Sequence, residues 1–206
     1  MDDQYFTDSA PATDAELRQL HASARGHELE MWVSNRVFSG NRLDLGTRQL
    51  LAEAPALPAD GTFLDLGCGW GPLAVTMALE APGARVWAVD VNTRALDLTR
   101  RNALANGVGD AVEVLPAAEA LEVARGEGIR FDAIWSNPPV RIGKQALHQM
   151  LSDWLGLLAQ DGSAHLVVQR NLGADSLMGW LIEQGWPARR LASKKGFRII
   201  EVRPQS

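Results

Sequence analysis

The chain has 206 residues, 46% of them hydrophobic, and a formal net charge of −5, enough for one sizeable core and too little for a second full domain. A pI near 5.4 excludes a protein that coats duplex nucleic acid by charge alone, and the single cysteine, Cys68, excludes an intramolecular disulfide or a cysteine zinc site. Met1-Asp2-Asp3-Gln4 has no leader character, and no apolar run nears the ~18 residues of a membrane span, so a cytoplasmic protein without membrane contact is expected.

Three segments are expected: residues 1–13 as a polar, mobile tail, 14–60 as a helix and strand extension, and 61–206 as the main domain. Thr13 or Asp14 is placed to cap a helix through Ala15-Glu16-Leu17-Arg18-Gln19-Leu20 that ends before Gly26. Glu28 to Phe38 alternates in part, with Leu29, Met31 and Val33 on one face, and reads as a strand or hairpin closing near Gly40-Asn41. A helix follows from about Thr47 to Ala54, before Pro55.

From Gly61 the pattern is strand, helix, strand, helix. Strands are expected at 62–66, 85–90, 111–115, 131–136, 163–169, 187–193 and 197–203, and helices at 72–81, 93–106, 117–125, 143–159 and 174–184. In the 143–159 helix, Leu147, Met150, Leu151, Trp154, Leu155 and Leu158 recur at helical spacing as one apolar stripe. Gly107 and Gly185 stand where left-handed C-caps belong. Such alternation implies an α/β fold, a doubly wound, mainly parallel seven-stranded sheet with helices on both faces. Ligands in such sheets bind at the carboxyl ends of the strands, where the strand order switches.

Each chemically suggestive motif falls at such an end. Phe63-Leu64-Asp65-Leu66-Gly67-Cys68-Gly69-Trp70-Gly71-Pro72 reads as a buried strand, a glycine loop that can approach a ligand closely, and a proline-opened helix. A dinucleotide fingerprint would read G-x-G-x-x-G. Here the loop is Asp-x-Gly-x-Gly-x-Gly, and an acid two residues before the first glycine suits a cationic ligand such as S-adenosylmethionine better than a pyrophosphate. Cys68 within the loop reads as a small buried thiol rather than a nucleophile. Asp90 ends the second strand, where an acid accepts hydrogen bonds from both ribose hydroxyls; capping the next helix is the alternative. The fourth strand ends at Asn137-Pro138-Pro139-Val140. Two prolines stiffen this tip, so that the Asn137 amide oxygen and the Pro138 carbonyl can receive a planar amine, although Asn-Pro also marks ordinary turns.

Together Asp65–Gly71, Asp90 and Asn137-Pro138-Pro139 resemble class I S-adenosylmethionine-dependent methyltransferases of the amino-methylating type. Val37-Phe38-Ser39, Leu43-Asp44-Leu45-Gly46-Thr47, Val140-Arg141-Ile142-Gly143-Lys144 and Lys195-Gly196-Phe197-Arg198 narrow the resemblance. Over residues 28–203 the chain resembles the small-domain methyltransferases related to the 16S ribosomal RNA guanine-N2 enzyme. The resemblance implies that Asp65, Gly67 and Gly69, in the loop that Gly71 closes, hold the methionine part of the cofactor. It assigns the ribose to Asp90, the adenine flanks to Val91 and the Ala117-Ala118 turn, and the target amine to Asn137 with Pro138.

The sequence departs from that pattern twice. Pro116-Ala117-Ala118 offers no acid or amide for the adenine amino group, leaving backbone or Glu119, and Val140 replaces an aromatic that stacks on the target, leaving Phe38 or Trp135. Phe38, Pro139, Val140, Arg141 and Lys144 are the candidate substrate contacts. Bacterial relatives carry a further N-terminal domain, so substrate selection would fall to residues 1–60, the 140–144 loop, Gln169-Arg170-Asn171 and the segment 186–206, where six bases face one acid. The partner expected is RNA, in ribosomal RNA or the small subunit, acted on by a monomer or homodimer. The four histidines have no metal-ligand spacing, so no metal is expected. Alternatives are methylation of a protein glutamine or a small-molecule amine, and a silent cofactor-binding module.

Overall fold

The computed structural model describes residues 10–35, 37 and 42–205. A hairpin of β1 (Arg18–Ala24) and β2 (His27–Val33) precedes helix α1 (Leu45–Glu53). Strand and helix then alternate through β3 (Asp60–Leu66), α2 (Pro72–Glu80), β4 (Gly83–Asp90), α3 (Thr93–Ala105), β5 (Val112–Pro116), α4 (Ala117–Gly126), β6 (Phe131–Ser136), α5 (Lys144–Leu155), β7 (Leu158–Gln169) and α6 (Ala174–Glu183), ending with β8 (Ala188–Lys194) and β9 (Phe197–Val202). The last seven strands form one sheet in the order β5-β4-β3-β6-β7-β9-β8, parallel except where β9 runs antiparallel to β7 and β8. This is a doubly wound, Rossmann-like α/β fold. The chain winds outward from β3 to β5 and returns to β6, so the switch point lies between the carboxyl ends of β3 and β6.

Alternate residues of the central strands feed two separate cores. Phe63, Val86 and Trp135 pack with the hairpin, α1, α2 and α3 on one face; Leu64, Leu66, Trp87 and Ile134 pack with α4, α5 and α6 on the other. Strands covered on both faces run apolar without alternation, which is why consecutive Ala133, Ile134 and Trp135 of β6 are all buried. Gly107 and Gly185 adopt the left-handed conformation expected of helix ends.

Two sequence expectations are corrected. Residues 15–20 do not form a helix. Thr13 and Glu16 make the capping box, but it opens only a single 3-10 turn, Asp14–Glu16, and Arg18 already pairs with Val33 in the hairpin. A helix of six residues cannot stand without a packed face, whereas a strand here gains a partner. The hairpin therefore closes at Arg25-Gly26, both with positive φ, as a two-residue turn requires; Gly40-Asn41 lie outside the described residues. The second correction is at α5, which ends at Leu155. Leu158 belongs to β7, because an apolar residue at i+11 fits a helical stripe and the first residue of a buried strand equally well.

The hairpin and the segment before it dock onto α3 through polar groups. Asn102, fully buried, accepts from the Trp32 N–H at 2.6 Å and donates to the Trp32 carbonyl at 2.9 Å and the Trp70 carbonyl at 2.7 Å. One turn on, Asn106 repeats the pattern on Glu30, at 3.0 and 2.8 Å. The two amides thus act as a surrogate strand along β2. Arg94, also buried, bonds the Ala10 carbonyl, Glu16 and Ser34 at 2.8, 2.9 and 3.1 Å. Asn102→Leu, which strands three backbone polar groups, should lower the unfolding free energy by about 2–3 kcal/mol, measured by denaturant titration. A loss below about 1 kcal/mol would mean that water replaces the amide.

Candidate active site

At the switch point the tips of β3 and β6 are tied together: the buried Ser136 hydroxyl donates to the Leu66 carbonyl at 2.7 Å. The glycine loop and Asn137 therefore leave the sheet side by side. In the loop, the Gly67 and Cys68 N–H groups donate to the Val89 carbonyl at 2.9 and 3.0 Å, and Gly67, Gly69 and Gly71 all have positive φ. At Gly71 a side chain would also strike Thr99, 2.8 Å from its nearest atom. Asp90 folds back on the loop: one carboxylate oxygen accepts from Gly69 N–H and the other from Asn92 N–H, both at 2.9 Å. Helix α3 is capped by Asn92 rather than by Asp90. Cys68 is buried, and burial, then the charges of Asp90 and Asp65, push its thiol well above the ordinary range.

These elements enclose a cavity of about 280 Å³, near the lower end of ligand clefts. Gly67, Gly69, Asp90, Val91 and Ala117 line one side, with Asn137 and Pro139 facing them across the switch point; Ile142, Met150 and Trp154 supply an apolar wall. The remaining sequence candidates lie off the wall. Asp65 is buried behind the loop, Gly71 serves the turn into α2, and Ala118 and Glu119 are exposed on α4. Pro138 is buried. Its carbonyl accepts the Val140 N–H at 2.8 Å across an inverse γ-turn at Pro139 (φ −75°, ψ 73°), leaving one lone pair. Val140 packs toward the α5 core, and Arg141 and Lys144 are exposed. Phe38 lies outside the described residues. Trp135 offers no stacking face: it is 1% exposed and covered by the Arg25 guanidinium 5.4 Å from its ring.

On the far side of the cavity, sequence reasoning marks the segments 37–39 and 43–47 by resemblance but gives Val37, Leu43, Asp44 and Thr47 no role of their own. All four line that side from the N-terminal extension. Asp44 caps α1, accepting from Thr47 N–H at 3.1 Å, and the Asn137 amide nitrogen donates to Asp44 Oδ2 at 2.9 Å and to Thr47 Oγ1 at 3.1 Å. The Asp-x-x-Thr spacing at a helix start is a legible capping signal; its reach across to residue 137 is not. Met150 and Trp154, which the sequence assigns to packing alone, line the cavity as well. Among the described residues no group of three His, Cys, Asp or Glu side chains is placed to hold a metal, and no helix is long and apolar enough to cross a membrane.

The comparisons with known proteins agree with this geometry. Residues 28–201 match the methyltransferase small domain family. The chain belongs to that family. It is 27% identical over 203 residues to the uncharacterized protein YbxB of Bacillus subtilis, covering 98% of this chain and 99% of that one. It is 35% identical over 198 residues to ribosomal RNA small subunit methyltransferase C of Pseudomonas aeruginosa (89% and 56%), and 47% identical over 157 residues to release factor glutamine methyltransferase of Chlorobaculum tepidum (66% and 53%). The chain thus spans about half the length of these two methyltransferases. Among solved structures, a T. thermophilus 16S rRNA N2 methyltransferase in complex with AdoMet and guanosine superposes with a TM-score of 0.71 at 21% identity, over 96% of this chain and 53% of that one. The family is thus one of methyltransferases, and AdoMet, S-adenosylmethionine, is the cofactor held by that neighbour.

The cavity has the chemistry for that cofactor. Asp65 Oδ1 is buried with no hydrogen-bond partner among the described residues, while Oδ2 accepts from Ala74 N–H at 2.9 Å. Burial pushes its carboxyl up to about 8 against the pull of the Ala74 N–H, and the Asp90 charge adds to the rise. Burial also raises Asp90, opposed by the amides of Asn92, Gly69 and Val91. Two uncompensated acids behind a bare glycine loop suit a ligand with an ammonium and a sulfonium. A carboxyl whose folded pKa exceeds its unfolded value near 4 favours the native state below about pH 4, and that contribution is lost as pH rises through about 8. Without cofactor, stability should therefore fall over that window. Asp65→Asn should remove this part of the slope, raise stability at pH 8 and weaken S-adenosylmethionine binding. Denaturant titrations across pH and isothermal titration calorimetry read both; a slope unchanged in Asp65→Asn would remove Asp65 from this account.

Proposed function

We propose that this methyltransferase acts on the exocyclic N2 amine of a guanine in ribosomal RNA, with residues 61–206 holding the cofactor and residues 14–60 closing the target side. One observation carries the reading: at the switch point Asn137, its amide NH2 engaged by Asp44 and Thr47, lines a cavity with an apolar wall, a combination that suits a flat ring bearing an NH2 group. Similarity to ribosomal RNA small subunit methyltransferase C over 89% of the chain supports RNA as the class of acceptor.

On this reading Gly67 and Gly69 bring bare backbone to the methionine part, Asp90 supplies negative charge and takes the ribose hydroxyls, Asp65 gives up its proton as the cationic ligand binds, and Val91 and the Ala117-Ala118 turn flank the adenine. When bound, the cofactor presents an electrophilic sulfonium methyl. Asn137 Oδ1 and the free lone pair of the Pro138 carbonyl accept the two amine hydrogens, which turns the nitrogen lone pair toward the methyl side of the cavity. Such alignment is worth up to roughly 7–11 kcal/mol and requires no strong base. The target base must leave its stack to reach Asn137, and Ile142, Met150 and Trp154 replace the contacts it loses.

The exposed bases beside the site fit a phosphate backbone. Arg170 N–H donates to the Gly196 carbonyl at 2.8 Å, which places Arg170 beside Lys194 and Lys195 at the β8–β9 turn, while Arg141 and Lys144 follow the Asn137 tip. The local excess of base is partly spent within the protein: Arg189 and Arg203 pair with Glu201, Arg198 with Asp175 and Lys194 with Glu53. Lys195→Ala should reduce the slope of log affinity against log salt for RNA by about 1; an unchanged slope would take Lys195 out of the interface.

A second reading, methylation of a protein glutamine, draws on the 47% identity to release factor glutamine methyltransferase, since a glutamine side chain also ends in a planar NH2. Transfer from radiolabelled S-adenosylmethionine to total RNA and total protein of cells lacking the gene, followed by nucleoside and amino-acid analysis, separates the two. Label in N2-methylguanosine, lost with Asn137→Ala while cofactor affinity stays near normal, is the expected result. Label only in glutamine would replace the first reading with the second.

A further inference from the structure

An asparagine amide can present either its oxygen or its NH2 to a ligand, and the two choices select opposite partners. At Asn137 the choice is dictated by chemistry. The Asp44 carboxylate only accepts hydrogen bonds, so the amide atom 2.9 Å from its Oδ2 must be the NH2. The second amide hydrogen goes to Thr47 Oγ1 at 3.1 Å. Both donors are therefore consumed, and Oδ1, with no partner among the described residues, is the group left for the cavity that Asn137 lines.

We propose that Asp44 and Thr47 are positioning residues that hold the Asn137 amide with its oxygen toward the target, so that the site receives N–H donors and turns away acceptor atoms such as ring nitrogens and carbonyls. The inference rests on Asn137 being the residue that meets the target amine, but not on the target being RNA. A carboxylate behind the NH2 does more than orient it. It polarises the amide and makes Oδ1 a stronger acceptor, as a hydrogen bond to an amine that gains positive charge during transfer requires.

The surroundings hold this contact in place. Gly46 allows the first turn of α1 to lie against both Asp44 and β9: a Cβ there would stand 2.9 Å from Asp44 Oδ2 and 3.0 Å from the Phe197 ring. At the other end of α1, the Arg25 guanidinium bonds the carbonyls of Leu51 (2.8 Å), Ala54 (2.9 Å) and Pro55 (3.1 Å) and pairs with Glu80 on α2. Helix α1 is pinned at both ends, and the Asp44 carboxylate with it.

Asp44 also caps α1, so the test must separate orientation from folding. Asp44→Ser keeps a capping oxygen but is too short to reach Asn137; Asp44→Asn keeps an acceptor of the original reach. In 15N-labelled protein the two Asn137 side-chain protons, assigned by their absence in Asn137→Ala, should be well separated and slow to exchange. In Asp44→Ser they should collapse toward free-amide shifts with the melting temperature nearly unchanged, and in Asp44→Asn they should be largely restored. With whichever acceptor takes label in the transfer assay, Asp44→Ser should lower kcat about 10- to 100-fold without weakening cofactor binding, and should cause no further loss in the Asn137→Ala background. Thr47→Val should give a smaller loss of the same kind. Unmoved amide signals in Asp44→Ser, or an equal loss of kcat with and without Asn137, would overturn the proposal. Label in protein rather than RNA would instead count against the ribosomal RNA reading and leave the amide result standing.

Discussion

The burial of two polar side chains on α3, Arg94 and Asn102, governs everything N-terminal to the main sheet. Leu29, Met31 and Val33 of β2 enter the core on that face, but apolar burial is non-directional and would tolerate several positions of the hairpin. The Asn102 amide does not. Its bonds to both polar groups of Trp32 and to the Trp70 carbonyl fix the hairpin to one register relative to the glycine loop, and a one-residue slip would turn the apolar residues of β2 outward while leaving those groups unpaired in a dry interior. Register here is decided by the penalty for unmade hydrogen bonds, about 1–3 kcal/mol each, more than by the area buried.

That register carries through to the chemistry. With the hairpin fixed, Arg25 at its turn reaches the C-terminal carbonyls of α1, and α1 delivers Asp44 to Asn137. Arg25 itself stands at φ +51°, a conformation a non-glycine residue adopts at a cost of roughly 1–2 kcal/mol. Its guanidinium offsets that cost, with three carbonyls, an ion pair to Glu80 and the face of Trp135. Trp135 lies two residues before Asn137 on β6. The N-terminal segment thus grips the strand tip that carries Asn137 from two directions, by the arginine over the tryptophan and by the carboxylate on the asparagine.

The main domain is largely legible in the sequence because its strands and helices alternate at lengths that periodicity resolves, and because glycine loops and proline tips announce themselves locally. In the N-terminal part β2 and α1 are read near their observed bounds, but the segment before them is not. In Asp14–Leu20 the capping residues are plain to read, yet the chain after them enters a strand, since the partner that stabilises it, β2, is set by contacts with Asn102 and Asn106, 70 and 76 positions away. Asp44 and Thr47 show the same limit. Their capping pattern is local, but the residue they serve is 93 positions on from Asp44, and nothing in the spacing of a helix cap says what it faces. Likewise Trp154 and Met150 fit an apolar stripe, and a stripe does not reveal that its upper end opens into a cavity.

On the ribosomal RNA reading, the placement of charge reconciles an acidic protein with a polyanionic target. Asp44 and Asp90 line the cavity and Asp65 lies buried behind its glycine loop, and neither Asp65 nor Asp90 has a cationic side-chain partner among the described residues. On the proposed reading, part of the formal net charge of −5 comes from acids placed to meet a cationic cofactor. Arg141, Lys144, Arg170 and Lys195 stand outside it, exposed. Charges in solvent lose each other beyond the ~8 Å Debye length of physiological salt, so a phosphate passing along the outer bases is shielded from the acids within. A phosphate entering the cavity would not be. On the ribosomal RNA reading, these acids would keep the nucleic-acid backbone from the site and admit an uncharged base carrying N–H donors, the same group that the proposed orientation of the Asn137 amide selects.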